Sequence, residues 1–442
     1  MTMREPPARG RADHAALEAF VDGLGDTVLD WRFKGFGSRS PSMTVADVQR
    51  DGVRLAELGT PMMTIDVAAV ADNVLAMARW CEQRGLLLAP HGTTTMAPNL
   101  WLAQLLSGSV AITVATSSQL RAARAFGVGS VVLANELVDP RDLAWVAAEL
   151  ARDPQFDFLC WVDSVASVRR MDEALAGAAR PVPVCIEVGS VQGRAGARGL
   201  DEVHAIAEAV VGSPELLLAG LSGYEGAVPG AGTDQAGLHA VDEFLRAMVV
   251  AHEALANMYQ TPRVTVTAGG SGFFDRVAAV LGLLGQRAGD QPVDVVLRSG
   301  AYIVHDDGNY ARVTPSTRAA GPELRSAIHV WSQVLSRPQD DLVILDAGRR
   351  DLPYDMNLPV VLAGGGRDAG AGRDVGGFEV LRLNDQHCFV SIPADSDVAV
   401  ADVLKLGVSH PCTAFDKWRA IPMIDAADGG DPRVVDVALT FF

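Results

Sequence analysis

Residues 86–135, LLLAPHGTTTMAPNLWLAQLLSGSVAITVATSSQLRAARAFGVGSVVLAN, hold three apolar runs: Leu86–Pro90, Ala111–Thr116 and Ser130–Asn135. The segments between them are helix-like, with alanines and leucines at helical spacing in Ser117–Phe126. Almost continuous apolar character in so short a run is what a strand buried on both faces requires. The same alternation continues through Phe156–Asp163, Val182–Val188, Leu217–Gly223, Arg263–Thr267 and Val293–Leu297, with a long helical segment at Asp234–Met258. Eight strands with intervening helices predict an α/β fold, a (β/α)8 TIM barrel.

Two parts lie outside that alternation. Pro61–Asp66 (PMMTID) reads as a strand ahead of the first barrel helix, Val67–Arg84. Beyond Ala311 the pattern changes to short strands and turns: Ile328–Leu335, Asp341–Asp346, Glu379–Leu383, Cys388–Ile392 and Val434–Phe442. The expected organisation is an N-terminal extension (1–59), a barrel (60–310) and a mostly β C-terminal domain (311–442) that recruits the extension. The glycine-rich stretch Ala363–Gly377 reads as a mobile loop without a phosphate-loop consensus.

Composition narrows the function classes. The 442 residues are 49% hydrophobic and 21% charged, enough apolar content for a large core and too much for a disordered chain. A net charge of −17 opposes a phosphate backbone, so no nucleic-acid partner is expected. No apolar run approaches a bilayer's thickness, and the first residues (MTMREPPARGRADH) lack the apolar centre of a signal peptide, so no membrane partner is expected. Five scattered cysteines fit a reduced, cytoplasmic protein better than a disulfide scaffold. Of 37 basic residues only Lys34, Lys405 and Lys417 are lysines, and none follows a barrel strand.

In this architecture chemistry gathers where the strands end. Polar or glycine residues follow each run: His91 to Thr95, Asn135 and Glu136, Asp163, Glu187 with Arg194, Tyr224 with Glu225, Ala268 to Gly272, and Arg298 to Gly300. Thr267–Asp275 (TAGGSGFFD) offers backbone N–H groups at Gly269, Gly270 and Ser271, after the seventh strand, where barrels often hold a phosphate. Near the C-terminus His410 and Cys412 place an imidazole and a thiol two residues apart, donors suited to a borderline-soft divalent ion.

The segments TPMMTID, LLLAPHGTTTMAP, ITVAT, GRAGAR, TAGGSG, LRSGAYIVHDDG and SHPCTAFDKW, running from about Leu58 to the end, resemble the D-threonine aldolase and D-serine dehydratase family. These are fold-type III pyridoxal-phosphate enzymes, related in architecture to alanine racemase. The resemblance implies a homodimer acting on small D-amino acids with a β-hydroxyl, and a divalent metal (zinc, manganese or magnesium) that binds this hydroxyl. It assigns the metal to His410 and Cys412, and the cofactor phosphate to Gly269, Gly270 and Ser271. It sets Arg194 near the cofactor's phenolic oxygen and Tyr224 near its ring. The family motif is PHGKT, whose lysine forms a Schiff base with the cofactor; this chain has Pro90-His91-Gly92-Thr93-Thr94. A hydroxyl forms no such bond and is a poor base. Three explanations stand: an engineered substitution, a relative that binds pyridoxal phosphate noncovalently with His91 or metal-bound hydroxide moving the proton, or a chain that uses the metal alone as a Lewis acid. The expected function is a carbon–carbon lyase of the D-threonine aldolase type in lysine-less form. The alternatives are a D-serine dehydratase-like deaminase, a metal-only aldolase, and a non-catalytic homologue that binds pyridoxal phosphate or an amino acid.

Overall fold

A computed structural model describes residues 14–38, 42–286, 291–365, 375–426 and 432–442. Most of the glycine-rich stretch expected to form a loop lies outside these residues. Eight parallel strands form one sheet: Leu87–Leu88, Ile112–Val114, Ser130–Glu136, Asp157–Val162, Val182–Val188, Leu216–Gly223, Val264–Ala268 and Val293–Leu297. The last strand pairs with the first, Val296 with Leu87. The first meets the second through Val110 N–H to Leu88 (2.8 Å) and Thr113 N–H to Pro90 (2.8 Å), which closes the barrel. The predicted runs and the observed strands agree to within about two residues at most ends, the usual uncertainty of such boundaries.

Val67–Glu82, the helix ahead of the first strand, fills the place of an eighth helix after the last one. Asp66 caps it through the Ala69 N–H (2.9 Å), Asn73 donates to the Ile303 carbonyl (3.2 Å), and Trp80 packs edge-on against Phe274 (5.0 Å between rings). Small and medium apolar side chains fill the lumen, among them Ala89, Ala111, Val132, Leu159, Cys185, Ala219 and Val296, with Trp161 toward the carboxyl end. The barrel is therefore a packed core with chemistry confined to its mouth. Gly220 marks a register shift in the sixth strand; a Cβ there would lie 1.8 Å from the Thr265 carbonyl oxygen, so only glycine lets the sixth and seventh strands approach this closely.

The second sheet has ten strands among the described residues and is mixed. Ile328–Gln339 pairs antiparallel with Leu342–Leu345, Val403–Gly407 and Met62–Asp66. Met62–Asp66 in turn pairs with Ala420–Ile424, which pairs with Arg433–Leu439, and this last strand reaches Val53–Arg54. The pre-barrel segment thus supplies an interior strand of the distal sheet, and all five residues of Met62–Asp66 are buried. Four strands here, Val53–Arg54, Val360–Gly365, Val403–Gly407 and Ala420–Ile424, were not foreseen from the sequence. Among the described residues no helix is long and apolar enough to cross a membrane, and all five cysteines are free.

Candidate functional site

A cavity of about 380 Å3 opens at the carboxyl ends of the barrel strands, within the range of small-molecule sites. All eight strand ends contribute to its wall: His91 and Thr93, Ala115, Asn135, Trp161, Glu187 with Arg194, Tyr224, Gly270 with Ser271, and Arg298 to Gly300. Tyr310 and Cys412 come from the chain beyond the barrel. The eighth strand end sits flush against the first. His91 N–H donates to the Arg298 carbonyl (3.0 Å), and a Cβ on Gly300 would lie 2.3 Å from the His91 carbonyl oxygen. Backbone contact of this kind fixes the His91–Thr94 turn, and Thr93 Oγ1 lies 3.4 Å from His91 Nδ1.

Seven of the nine residues singled out from the sequence line this cavity: His91, Thr93, Arg194, Tyr224, Gly270, Ser271 and Cys412. Gly269 lies behind the wall. One expectation needs correction, because the backbone N–H groups of Gly269 and Gly270 are not free for a phosphate. They donate to the two carboxylate oxygens of Glu225, at 3.0 and 2.6 Å. A buried carboxylate already holds this turn, and desolvation pushes its pKa up against those two hydrogen bonds. Donors still facing an anion include Ser271, whose Oγ accepts the Ala301 N–H at 3.2 Å on the far side of the same wall.

Two arginines dominate the charge. Arg194 lies 5.1 Å from the Tyr224 ring, and Arg298, 4% exposed, donates to Thr267 Oγ1 and to the Gly223 carbonyl (both 2.7 Å). Arg298 Nε is buried with no hydrogen-bond partner, an orphan donor in the cavity wall. Arg298 is the main residue that reading by motif passed over, although its place after the eighth strand was visible. Burial, reinforced by both guanidinium charges, depresses the His91 pKa to about 3, so its imidazole is neutral near pH 7. Burial also raises the phenol pKa values of Tyr224 and Tyr310, so both stay protonated.

The His410 and Cys412 side chains lie at the rim, on the turn after the strand Val403–Gly407. Cys412 Sγ reaches Thr94 Oγ1 at 3.4 Å and joins the second sheet's turn to the barrel's first. The hydrogen bond with Cys412, more than the contact with Asp355, raises His410 to about 9 despite partial burial. No three His, Cys, Asp or Glu side chains converge as a metal cage among the described residues. The His410–Cys412 pair fits a site with two protein ligands and open positions, and the cavity fits an anionic, aromatic cofactor held by arginines, Ser271 and ring contacts, without a covalent bond.

The wider comparisons agree with this architecture. Residues 327–424 match the family model described as a putative serine dehydratase domain. The chain is 27% identical over 367 residues to a D-threonine aldolase of an Arthrobacter species (83% of this chain, 89% of the relative). It is 24% identical over 378 residues to a 3-hydroxy-D-aspartate aldolase of Paracoccus denitrificans (84% and 90%). Among solved structures, D-threonine aldolase from Filomicrobium marinum superposes with a TM-score of 0.72 at 22% identity, covering 88% of this chain and 96% of that one. A cysteine-to-alanine mutant of D-threo-3-hydroxyaspartate dehydratase in the metal-free form gives 0.69 at 23% identity (88% and 99%). An alanine-racemase-like protein from Idiomarina loihiensis gives 0.67 at 19% identity (87% and 98%). In sequence the chain is similar to D-threonine aldolase and 3-hydroxy-D-aspartate aldolase, and its fold is that of the alanine-racemase-like barrel.

Proposed function

We propose that the protein is a carbon–carbon lyase for D-3-hydroxy amino acids, using noncovalent pyridoxal phosphate and a divalent ion at His410 and Cys412. The observation that carries this reading is the cavity itself. Two guanidiniums and the Ser271 hydroxyl border one space, three aromatic side chains (Trp161, Tyr224 and Tyr310) line it, and no lysine among the described residues does. When bound there, the cofactor supplies an electron-poor ring that disperses charge left on the substrate's Cα. Arg194 and Arg298 would hold its anionic and polar groups, with Ser271 and Tyr224 orienting it.

The residues favour retro-aldol cleavage. The substrate hydroxyl, near the His410–Cys412 pair, would give its proton to solvent water at the open rim; the Cα–Cβ bond breaks, Cβ becomes the aldehyde carbon, and the electron pair left on Cα takes a proton back from solvent. Dehydration instead needs a base strong enough to deprotonate Cα. His91, neutral with a pKa near 3, is a weak base at neutral pH, and Thr93 is weaker still. A base at the hydroxyl alone is a smaller demand. Relatives that align over more than four fifths of the chain are named as aldolases, which favours the same outcome.

A homodimer belongs to this reading, and the half-exposed Tyr354 and Met356 beside the rim offer apolar surface for a second copy. The test is direct. Purified protein is mixed with pyridoxal phosphate, Zn2+ or Mn2+, and D-threonine, D-serine or 3-hydroxy-D-aspartate. Glycine and an aldehyde support the proposal; a 2-oxo acid with ammonia transfers it to the dehydratase branch. Cofactor binding with no product from any substrate leaves a binding protein.

A further inference from the structure

His410 sits in the left-handed region, φ +89°, a conformation that a β-carbon makes costly. Four hydrogen bonds hold it there. Its N–H donates to Asp306 Oδ2 (2.9 Å), while Asp306 Oδ1 accepts the N–H groups of Gly308 (3.0 Å) and Tyr310 (2.8 Å). The preceding Ser409 Oγ accepts from Asn357 (3.1 Å). The ring itself is fixed by Asp355, whose Oδ2 lies 2.5 Å from His410 Nδ1, and Thr413 Oγ1 donates to the other carboxylate oxygen (2.7 Å).

Asp355 belongs to the turn between the strands Leu342–Leu345 and Val360–Gly365, 55 residues before His410 in the chain. Contacts at both ends keep that turn in place. Asp351 is paired with Lys34 (2.7 Å) and accepts the Gly348 N–H (3.1 Å), and Asn357 reaches Ser409. A carboxylate on Nδ1 leaves Nε2 as the one ring nitrogen available to a ligand, and the ring's other partner is Cys412.

We propose that Asp355 is a positioning residue that orients His410 toward a divalent cation shared with Cys412. The assignment rests on the metal site described above and adds to it a residue that no motif marks. A direct ligand role is not supported, since Asp355 is engaged at Nδ1 and no three such side chains converge among the described residues. Carboxylates behind ligating histidines fix the tautomer and raise the ring's donor strength, and their loss typically weakens metal binding about 10–100-fold.

The experiment uses the full chain stripped with a chelator, then titrated with Zn2+ against a chromophoric competitor and with Co2+ by visible absorption. Asp355→Ala should weaken Zn2+ binding about 10–100-fold and perturb the Co2+ ligand-field bands, with the thiolate charge-transfer band retained. Asp355→Asn, which can still accept from Nδ1–H, should lose less, and Thr413→Val should show a smaller loss in the same direction. The far-ultraviolet circular dichroism and Tm of each metal-free variant should match wild type, which a purely structural role would not predict alongside altered Co2+ bands. Asp355→Ala binding Zn2+ as tightly as wild type, with an unchanged Co2+ spectrum, overturns the proposal while the metal site stands. If the wild type takes up neither ion, the metal reading falls and the proposal with it. His410→Ala, expected to abolish uptake, distinguishes specific loading from adventitious binding.

Discussion

Thr93 lies at the cavity wall with its hydroxyl 3.4 Å from His91 Nδ1, at the position where the family resemblance puts a cofactor-bonding amine. Replacing it with lysine tests whether the rest of the pocket is still arranged for that bond. Thr93→Lys should yield a cofactor that borohydride fixes to the protein, detected as a mass increase, and a lyase rate at least about 100-fold higher, in line with a positioned proton-transfer group. Pyridoxal phosphate binding without covalent capture would show a pocket that no longer presents the aldehyde to residue 93. Glu136 offers a pH test. Burial, then its hydrogen bond to Glu187 and that residue's charge, raises its pKa from 4.5 to about 8. Between those values the folded state binds a proton that the unfolded chain releases, so this residue's contribution to stability falls as pH rises from about 5 to 8. Glu136→Gln removes the effect; its Tm should fall less than that of wild type across this interval, measured by thermal melts. Equal pH slopes in both proteins would contradict the raised pKa. At this scale the sequence showed which residues reach the cavity because each follows a strand. It did not show that Glu225 bridges to the turn after the seventh strand, contacts across 44 and 45 residues with no local signature.

At the scale of elements, barrel strands were readable because burial on both faces demands unbroken apolar runs, as in Val182–Val188. Val403–Gly407 and Ala420–Ile424 each escaped because one residue breaks the apolar run. Lys405 interrupts the first, although its ammonium is buried and lies 5.8 Å from the Trp331 ring; Pro422 interrupts the second, yet pairs opposite Val437. Each is a tertiary solution that local pattern does not reveal. The sixth strand gives the sharpest test of packing. Gly220→Ala should destabilise the protein by about 3 kcal/mol, because the methyl would drive into the Thr265 carbonyl of a neighbouring strand and neither backbone can retreat within a closed barrel. A Tm within one degree of wild type would refute the claim of close approach.

For the whole molecule, the site depends on two bodies held in fixed relation. Cys412 comes from the second sheet, Thr94 from the barrel, and the segment joining the two layers earliest in the chain is the strand Met62–Asp66. Deleting residues 1–66 should therefore abolish soluble expression. It opens a gap between Ile328–Gln339 and Ala420–Ile424, leaving unpaired strand edges in the middle of a sheet. Soluble, monodisperse protein with native circular dichroism after that deletion would show that the strand is dispensable.

The placement of Met62–Asp66 also bears on synthesis. Ile65 pairs with Ile328, which leaves the ribosome 263 residues later, and with Met423, which leaves later still. At about 5–20 residues per second, this apolar pentapeptide waits roughly 13–50 s without a mate while the barrel assembles beside it. During that interval it is a sticky ribbon awaiting capture, so chaperone supply and codon speed between positions 67 and 328 should govern yield more than any property of the finished enzyme.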